Sequence, residues 1–557
     1  MEEIRYELMR PGQIIAARDK APVAYLPLGP LEWHGPHLPF GVDMLHAHAM
    51  ALEAAGQTGG VVLPPLPLGT ETYITPERLR DRGFKGDERI IGMDFPGFPL
   101  PSLYIEECAL GVVINEMVRL LKRQRFRVIV LVNGHGGPNH RALLSRIAIE
   151  QSEPENVAIF LTGALLDTHP RGHASLRETS YMLNMHPETV DLDTLPPWPT
   201  PIRTYEVGVL DHPTCAGEPA PDFSICPDQD PRRATAEQGL ENVVREGKSI
   251  AGKVQAALAT LLGYPSRPNA STTGLRAGTV ARPLVKKART DHPAEGIRYE
   301  LLRPQQIIAA RTRLPVAYIP IGPLEWHGPH LPYGTDMLHA YAMALEAARE
   351  TGGVVLPPLP LGTETYTDPE RLRYQGFKGH ERVMGIDFPG FPLTSLYIEE
   401  SAFGVSVREV VRGLKRQAFR VIGLVNGHGA PNQRTTLERL AVEESEPGKV
   451  AVFLTGFRFV TRYRGHAELG ETSFTLAYHP ESVDLTALPP LPRPLRNLDF
   501  AVLDGPTCAG QPTADFTVRG EQDPRHAEAA RGKDDVAYEA HQIALKAREL
   551  LPTAAGG

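Results

Sequence analysis

Glu32, His34 and Asp43 fall within the stretch PLGPLEWHGPHLPFGVD at positions 27–43, just after a short apolar run. Two carboxylates and an imidazole this close together beyond a strand are the side chains that bind divalent ions or move protons. The stretch returns at positions 320–336 as PIGPLEWHGPHLPYGTD, with Glu325, His327 and Asp336 displaced by 293 residues. Acids and imidazoles at other candidate strand ends add His135 and Glu178 to the first set, and His428 and Glu471 to the second. Three carboxylates and two imidazoles without a thiolate suit a borderline or hard ion such as Zn²⁺ or Mn²⁺. Five ligands exceed what one catalytic zinc ordinarily takes. A carboxylate can bridge two ions, so the economical reading is a dinuclear centre that holds a hydroxide for attack and polarises a carbonyl.

The elements that must position these residues are repeated with them. IRYEL, NGHGGPN (NGHGAPN in the second copy), PTCAG and QDPR all recur at the same displacement, from Ile4 to about Ile250. A constant offset implies two copies of one fold, and 557 residues are too many for one ordinary core. The division expected is a first domain at 1–264, a linker rich in Pro, Gly, Ser and Thr at 265–296, and a second domain at 297–557. Within a copy, APVAYLPL at 21–28 reads as a buried strand ending in a Gly-Pro turn, which sets Glu32 and His34 beyond its carboxyl end. Asp43 opens an Ala- and Leu-rich helix that stops at Gly59-Gly60. Prolines confine the next strand to the start of VVLPPLPLG, and residues 102–126 carry apolar residues at helical spacing. RVIVLVN reads as a buried parallel strand with His135 just past its end. VAIFLTG at 157–163 is another core strand, and a helix follows near Glu178. Alternating strands and helices predict an α/β fold with a mostly parallel sheet in each copy.

Composition narrows the partners. A net charge of −8, from 58 basic and 66 acidic residues spread along the chain, gives no electrostatic case for nucleic acid. A small-molecule substrate is expected instead. No stretch is long and apolar enough for a membrane span, and the charged start MEEIRYELMR lacks a signal-peptide core. Cys108, Cys215, Cys226 and Cys508 form no CxxC pair, which suits a reducing compartment, with each thiol read as a buried apolar filler. A cytoplasmic enzyme is the expectation.

Three motifs in order, P-x-G-P-x-E-x-H-G-P-H-L-P-x-x-x-D, N-G-H-G-G and H-A-x-x-x-E-T-S, resemble the creatininase family over roughly two hundred residues of each copy. The resemblance implies Glu32 and His135 on one ion, His34 and Glu178 on the other, and Asp43 bridging. In the second copy it implies Glu325 and His428, His327 and Glu471, and Asp336. It also implies that His173 and His466 transfer protons, and it carries two divalent ions per domain, Zn²⁺ and/or Mn²⁺ with Fe²⁺ a further candidate. An imidazole near neutral pKa suits protonation of a leaving nitrogen. His37, His46, His330 and His339 lie beside the ligands and read as structural histidines or as groups orienting them. The polar segment TETYITPERLRDRGFKG brings Glu71, Tyr73, Arg78 and Arg80, and its repeat brings Glu364, Tyr366, Arg371 and Arg373, as candidate substrate contacts or lid residues.

Departures from creatininase itself bear on the substrate. Gly136-Gly137 and Gly429-Ala430 replace the bulky residues expected after the NGH motif, and His169 and Arg462 replace an aromatic wall. About two dozen residues precede FPGFP where many family members have few. The expectation is therefore a metal-dependent amidohydrolase cleaving a non-peptide or cyclic C–N amide bond. Creatinine hydrolysis itself is the alternative, and a non-catalytic metal-containing binding or scaffold protein is the rival from another class. The family's hexameric habit further implies a homo-oligomer in which three chains reproduce six subunits.

Overall fold

A computed structural model describes the chain except for residues 1, 82–83, 93, 96–99, 164–172, 206–207, 210–222, 225–226, 264–295, 375–376, 390–392, 457–464, 499–500, 503–515, 519 and 556–557. The first copy runs α1 (Pro11–Lys20), β1 (Val23–Leu28), α2 (Val42–Thr58), β2 (Val61–Val62), α3 (Pro76–Asp81), α4 (Glu107–Arg123), β3 (Val128–Asn133), α5 (Pro138–Gln151), β4 (Ala158–Gly163) and α6 (Leu176–Met185). It continues with β5 (Arg203–Tyr205), β6 (Gly208–Val209), β7 (Phe223–Ser224) and α7 (Ala236–Leu262). The four core strands are all parallel, in the order β2-β1-β3-β4. Leu28 pairs with Asn133, and Asn133 with Gly163, so three strands end level on one edge of the sheet. Every loop that leaves this edge opens onto the same space, where open α/β sheets bind ligands.

Strand alternation builds the two layers around the sheet. Val23 and Tyr25 of β1 and Val128, Val130 and Val132 of β3 pack with α2 (Ala47, Met50, Ala51) and α7 (Ile250, Val254, Leu258). Their neighbours Ala24, Leu26, Ile129 and Leu131 pack on the other face with α4 (Leu110, Val113, Met117) and α5 (Leu143, Leu144, Ile147). Burial on both faces is why these strands read as continuous apolar runs. Each fully buried Val or Leu contributes about 1.5–3 kcal/mol relative to exposure. The second copy repeats the order: α8 (Pro304–Arg313), β8 (Val316–Ile321), α9 (Thr335–Thr351), β9 (Val354–Val355), α10 (Pro369–Tyr374), α11 (Glu400–Arg416), β10 (Val421–Asn426), α12 (Pro431–Glu444), β11 (Ala451–Gly456) and α13 (Leu469–Tyr478). The small strands β12 (Arg496–Leu498), β13 (Ala501–Val502) and β14 (Phe516–Thr517) and the helix α14 (Ala529–Ala555) complete it. Its sheet order is β11-β10-β8-β9, again parallel.

Two expectations need correction. The helix read from residue 102 begins at Glu107. Residues 102–106 instead run extended, with Leu103 N–H donating to Leu31 O (2.8 Å) and Ile105 N–H to Gly69 O (2.9 Å). Leu103 and Ile105 alternate as strand residues do, and the helical spacing that follows concealed that change of period. Cys108 is exposed and not a buried filler, because it lies with the exposed Val112 on the outward face of α4. The other three cysteines lie outside the residues whose side chains are described, as do His169, Arg462 and the proposed linker apart from Gly296. The sequence reading also left out the three-stranded antiparallel sheets β6-β5-β7 and β13-β12-β14 and the long helices α7 and α14. Among the described residues no helix is long and apolar enough to cross a membrane.

Candidate metal centre

The loop after β1 carries Glu32 and His34, and Asp43 enters with the first turn of α2. His135 follows β3 in a tight turn closed by Asn133, whose Oδ1 accepts from His135 N–H (2.9 Å) and whose Nδ2 donates to His135 O (2.6 Å). Gly134 is required here, since a Cβ would stand 1.9 Å from the Asp43 carbonyl oxygen. The α6 helix brings Glu178, whose Oε2 accepts from Ala174 N–H at 2.5 Å, and Ala174 takes a left-handed φ of 55° to present that donor. Non-glycine residues held at positive φ cluster at functional sites.

All five side chains are buried, with exposures from 0% for His34 to 7% for Glu178. Asp43 sits in the middle. Its Oδ1 lies 3.1 Å from His34 Nε2, and its Oδ2 lies 2.9 Å from His135 Nδ1. Glu178 Oε2 is 3.8 Å from His34 Nε2, and Glu32 Oε2 is 3.1 Å from His135 Nδ1. The second copy reproduces this closely: His327 Nε2 to Asp336 Oδ1 is 3.1 Å and to Glu471 Oε2 is 3.6 Å, while His428 Nδ1 to Asp336 Oδ2 is 2.9 Å and to Glu325 Oε2 is 3.0 Å. Ligand atoms lie within 4.8 Å of one another in the groups Glu32–Asp43–His135, His34–Asp43–Glu178 and Glu32–His34–His173 of the first copy, and in Glu325–Asp336–His428 and Glu325–His327–His466 of the second.

The donor set fits divalent ions. His34 Nδ1 lies 3.1 Å from the Glu32 backbone carbonyl, so Nδ1 carries a hydrogen and Nε2 is the nitrogen turned to the carboxylates. Glu32 Oε2 is buried and, among the described residues, makes no hydrogen bond, since its 3.1 Å approach to His135 is off the line of one. Burial alone would pull His34 down, yet Asp43, Glu178 and Glu32 lift it to about 10. Burial alone would raise Asp43, but the two imidazoles hold it well below the carboxylate range. Such concentrated negative charge calls for cations, whether protons or metal ions.

The remaining sequence candidates are distributed as follows. His173 lies 4.1 Å from His34 between ring centroids, tilted by 38°, and donates from Nε2 to Trp33 O at 2.5 Å. His466 holds the same place, 4.1 Å from His327 and 2.5 Å from Trp326 O, and burial with the neighbouring His327 pushes it down to about 3. His37 Nε2 meets Thr179 Oγ1 at 2.9 Å, beside Glu178, and His330 meets Thr472 at 3.0 Å. His46 and His339 turn away to Glu246 (2.8 Å) and Glu539 (2.9 Å) on the last helix of each copy, where they act as structural ties.

Glu71 points inward: its Oε2 lies 3.2 Å from His135 Nε2, while its Oε1 accepts from Thr72 N–H and Oγ1. Glu364 stands 3.3 Å from His428 Nε2. Neither contact has hydrogen-bond geometry, and each carboxylate faces the imidazole nitrogen turned away from Asp43 or Asp336. Tyr73, Arg78 and Arg80 are exposed, with Arg89 stacked 4.5 Å over Tyr73 and Arg80 paired to Glu77. Tyr366, Arg371 and Arg373 are exposed likewise, and Arg382 covers Tyr366 at 4.4 Å. Sequence reasoning missed Tyr104 and Tyr397, whose hydroxyls donate to Glu32 and Glu325. Their repetition at the constant offset was a signal, but they fell in a segment read as helix.

Comparison with known proteins places the chain. The creatinine amidohydrolase of Pseudomonas putida is 26% identical over 234 residues, covering 38% of this chain and 78% of that protein. The mycofactocin precursor peptide peptidase of Mycolicibacterium smegmatis (strain ATCC 700084 / mc(2)155) is 31% identical over 180 residues, 31% of this chain and 62% of that protein. A solved manganese form of creatininase is 22% identical and aligns with 44% of this chain and 95% of its own, at a TM-score of 0.32. The sequence profile of the creatininase family, described as creatinine amidohydrolase, matches residues 7–248 and again 300–545, and on that match the chain belongs to the creatininase family, carrying it twice.

Proposed function

We propose that each copy is a dinuclear metal-dependent amidohydrolase acting on a non-peptide or cyclic C–N amide bond of a small molecule. The observation that carries this reading is the duplicated cluster in which one buried aspartate shares its two oxygens between two imidazoles, each also close to a second carboxylate. Glu32 and His135 would hold one ion, His34 and Glu178 the other, and Asp43 both. Glu325 and His428, His327 and Glu471, and Asp336 would do so in the second copy. Zn²⁺ or Mn²⁺ suits the nitrogen and oxygen donors, and such ions supply carbonyl polarisation and an acidified water.

The protein's own groups do the rest. Tyr104 and Glu71 brace Glu32 and His135 from behind. Trp33 O fixes the tautomer of His173 with its hydrogen on Nε2, so Nδ1 is the atom that would take a proton from the attacking water and then pass it to the departing nitrogen. Burial of the cluster keeps bulk water from solvating its charges. Arg78, Tyr73 and their counterparts Arg371 and Tyr366 stand on exposed segments that follow Glu71 and Glu364, and these segments would serve as a lid. Three chains would supply six copies for a homo-oligomer.

The relatives' names point to different substrates, creatinine in one and a precursor peptide in another, so the reaction class is proposed and the substrate left to experiment. Elemental analysis of protein purified without chelator, then reconstituted with Zn²⁺ or Mn²⁺, should find four ions per chain, and a screen of cyclic and linear amides should give metal-dependent turnover. Creatinine should be poor, with kcat/KM below about 10⁴ M⁻¹s⁻¹. Failure to take up any transition metal would overturn the reading.

A further inference from the structure

The two copies meet in a shared core, and the contacts they exchange end on the segments that hold the candidate ligands. Tyr6 packs edge-on to Tyr333 at 5.5 Å, and Phe40 to Tyr299 at 5.7 Å. Phe40 N–H donates to Leu302 O and Gly41 N–H to Glu300 O, both at 3.0 Å, while Tyr333 N–H donates to Met9 O and Gly334 N–H to Glu7 O, also at 3.0 Å. Residues 40 and 41 lie between His34 and Asp43, and Phe40 O in turn accepts from Glu32 N–H at 2.9 Å. The approach leaves no slack, because a Cβ on Gly41 would stand 2.5 Å from Glu300 O.

Side chains extend the same pattern. Arg416, at the end of α11 in the second copy, donates to Tyr104 O at 3.1 Å, and the Tyr104 hydroxyl donates to Glu32 in the first. Gln417 bonds Pro101 O in the segment leading to Tyr104 and is itself held by the Tyr299 hydroxyl. Gln124 bonds Thr394 O and is held by Tyr6 in return. Arg303 donates to Thr189 O (3.2 Å) and pairs with Asp191 (3.1 Å), whose N–H donates to His37 O, and His37 meets Thr179 beside Glu178. Arg10 mirrors it on Ser482 O and Asp484.

We propose that each metal centre is a joint product of both copies: residues 299–302, Arg303, Arg416 and Gln417 of the second hold the ligands of the first in place, and residues 6–9, Arg10 and Gln124 of the first do the same for the second. The proposal rests on the dinuclear reading above. It makes Arg416 and Arg303 positioning residues for a centre in the other half of the chain.

The test uses the full chain with one centre disabled. In Asp336→Ala only the first centre is complete, and its Zn²⁺ affinity is measured by competition with a chromogenic chelator. Adding Arg416→Met should weaken that affinity by ~3–10-fold, at or below the range for groups that touch a ligand directly. In the mirror background, Asp43→Ala, the same Arg416→Met should leave the second centre within about twofold. Arg416→Lys keeps a donor and should recover part of the loss. Lys415→Met, on the same helix but bonded to Glu444 O of its own copy at 3.0 Å, should leave the first centre unchanged. Arg303→Met repeats the comparison at a second place should Arg416→Met fail to fold. Unchanged Zn²⁺ affinity of the first centre in both variants, or weakening of the second centre as much as the first, would overturn the proposal while leaving the dinuclear reading intact. A parent chain that binds no Zn²⁺ would overturn both.

Discussion

Asp43 differs from its neighbours in that its two oxygens face different imidazoles, so its removal strips a shared ligand from both halves of the cluster. Asp43→Ala is therefore expected to lose both ions of the first centre, leaving about two per chain by elemental analysis. His37→Ala removes only a contact to Thr179 beside Glu178 and should keep the stoichiometry, weakening affinity by at most about 10–100-fold. Equal metal loss in the two variants would remove Asp43 from its shared role. The residues brought together here were legible because acids and imidazoles are rare in apolar surroundings and stand just past strand ends. The supporting groups were not. Ala174 contributes a backbone N–H and Trp33 a backbone carbonyl, and neither leaves a mark in side-chain type. Glu71 was legible as a residue near the site but not in its direction, because the turn that aims it at His135 depends on bonds to Thr72 and on His140 accepting from Thr70 N–H.

Among the elements, the four core strands and α2 followed from sequence, since burial on both faces writes an unbroken apolar run and Gly59 at φ 80° ends the helix. The start of α4 did not, because five extended residues joined a helical pattern without a break in polarity. Comparing the copies element by element exposes a difference that neither sequence alone shows. In the first, His46 of α2 bonds Glu246 Oε2 on α7, and the Tyr181 hydroxyl of α6 donates to Oε1 of the same carboxylate at 2.5 Å. In the second, His339 bonds Glu539 at 2.9 Å, but Phe474 stands where Tyr181 would, and Glu539 Oε1 is buried with no hydrogen-bond partner among the described residues. Phe474→Tyr should supply the missing donor. A hydrogen bond to a buried carboxylate is worth roughly 1.5–3 kcal/mol, so for a chain of this size the melting temperature should rise by about 1–3 °C. Tyr181→Phe should lower it by a similar amount, and calorimetry of the two variants checks both signs.

At the scale of the whole molecule, both copies carry all five candidate ligands and the histidine beside them, so both are expected to turn over substrate. Glu178→Gln and Glu471→Gln, assayed separately with saturating metal, should each leave activity from the other centre. Complete loss in one and none in the other would make one copy a structural partner. The contact between copies also carries a pH response. Glu7 is buried at that contact, its carbonyl accepting from Gly334, and burial pushes its carboxyl up to about 7, with Arg5 only partly opposing. Its counterpart Glu300 is paired with Arg298 at 2.7 Å. The difference lies at two positions: Glu3 claims Arg5 at 2.7 Å, whereas Gly296 stands in its place in the second copy and leaves Arg298 for Glu300, and Tyr341, where the first copy has His48, donates to Glu300 at 3.5 Å. An acid whose folded pKa is raised binds its proton more tightly in the native state than in the unfolded one. Its contribution is therefore most favourable below about 4.5 and is lost as pH rises towards 7, by up to about 3 kcal/mol. Glu7→Gln should match the parent near pH 5 and exceed it in thermal midpoint by pH 8. Glu3→Gly, which frees Arg5 to meet Glu7 as Arg298 meets Glu300, should flatten the same pH dependence without removing the carboxyl. A gap between Glu7→Gln and the parent that stays constant from pH 5 to pH 8 would show that Glu7 keeps an ordinary pKa within the interface.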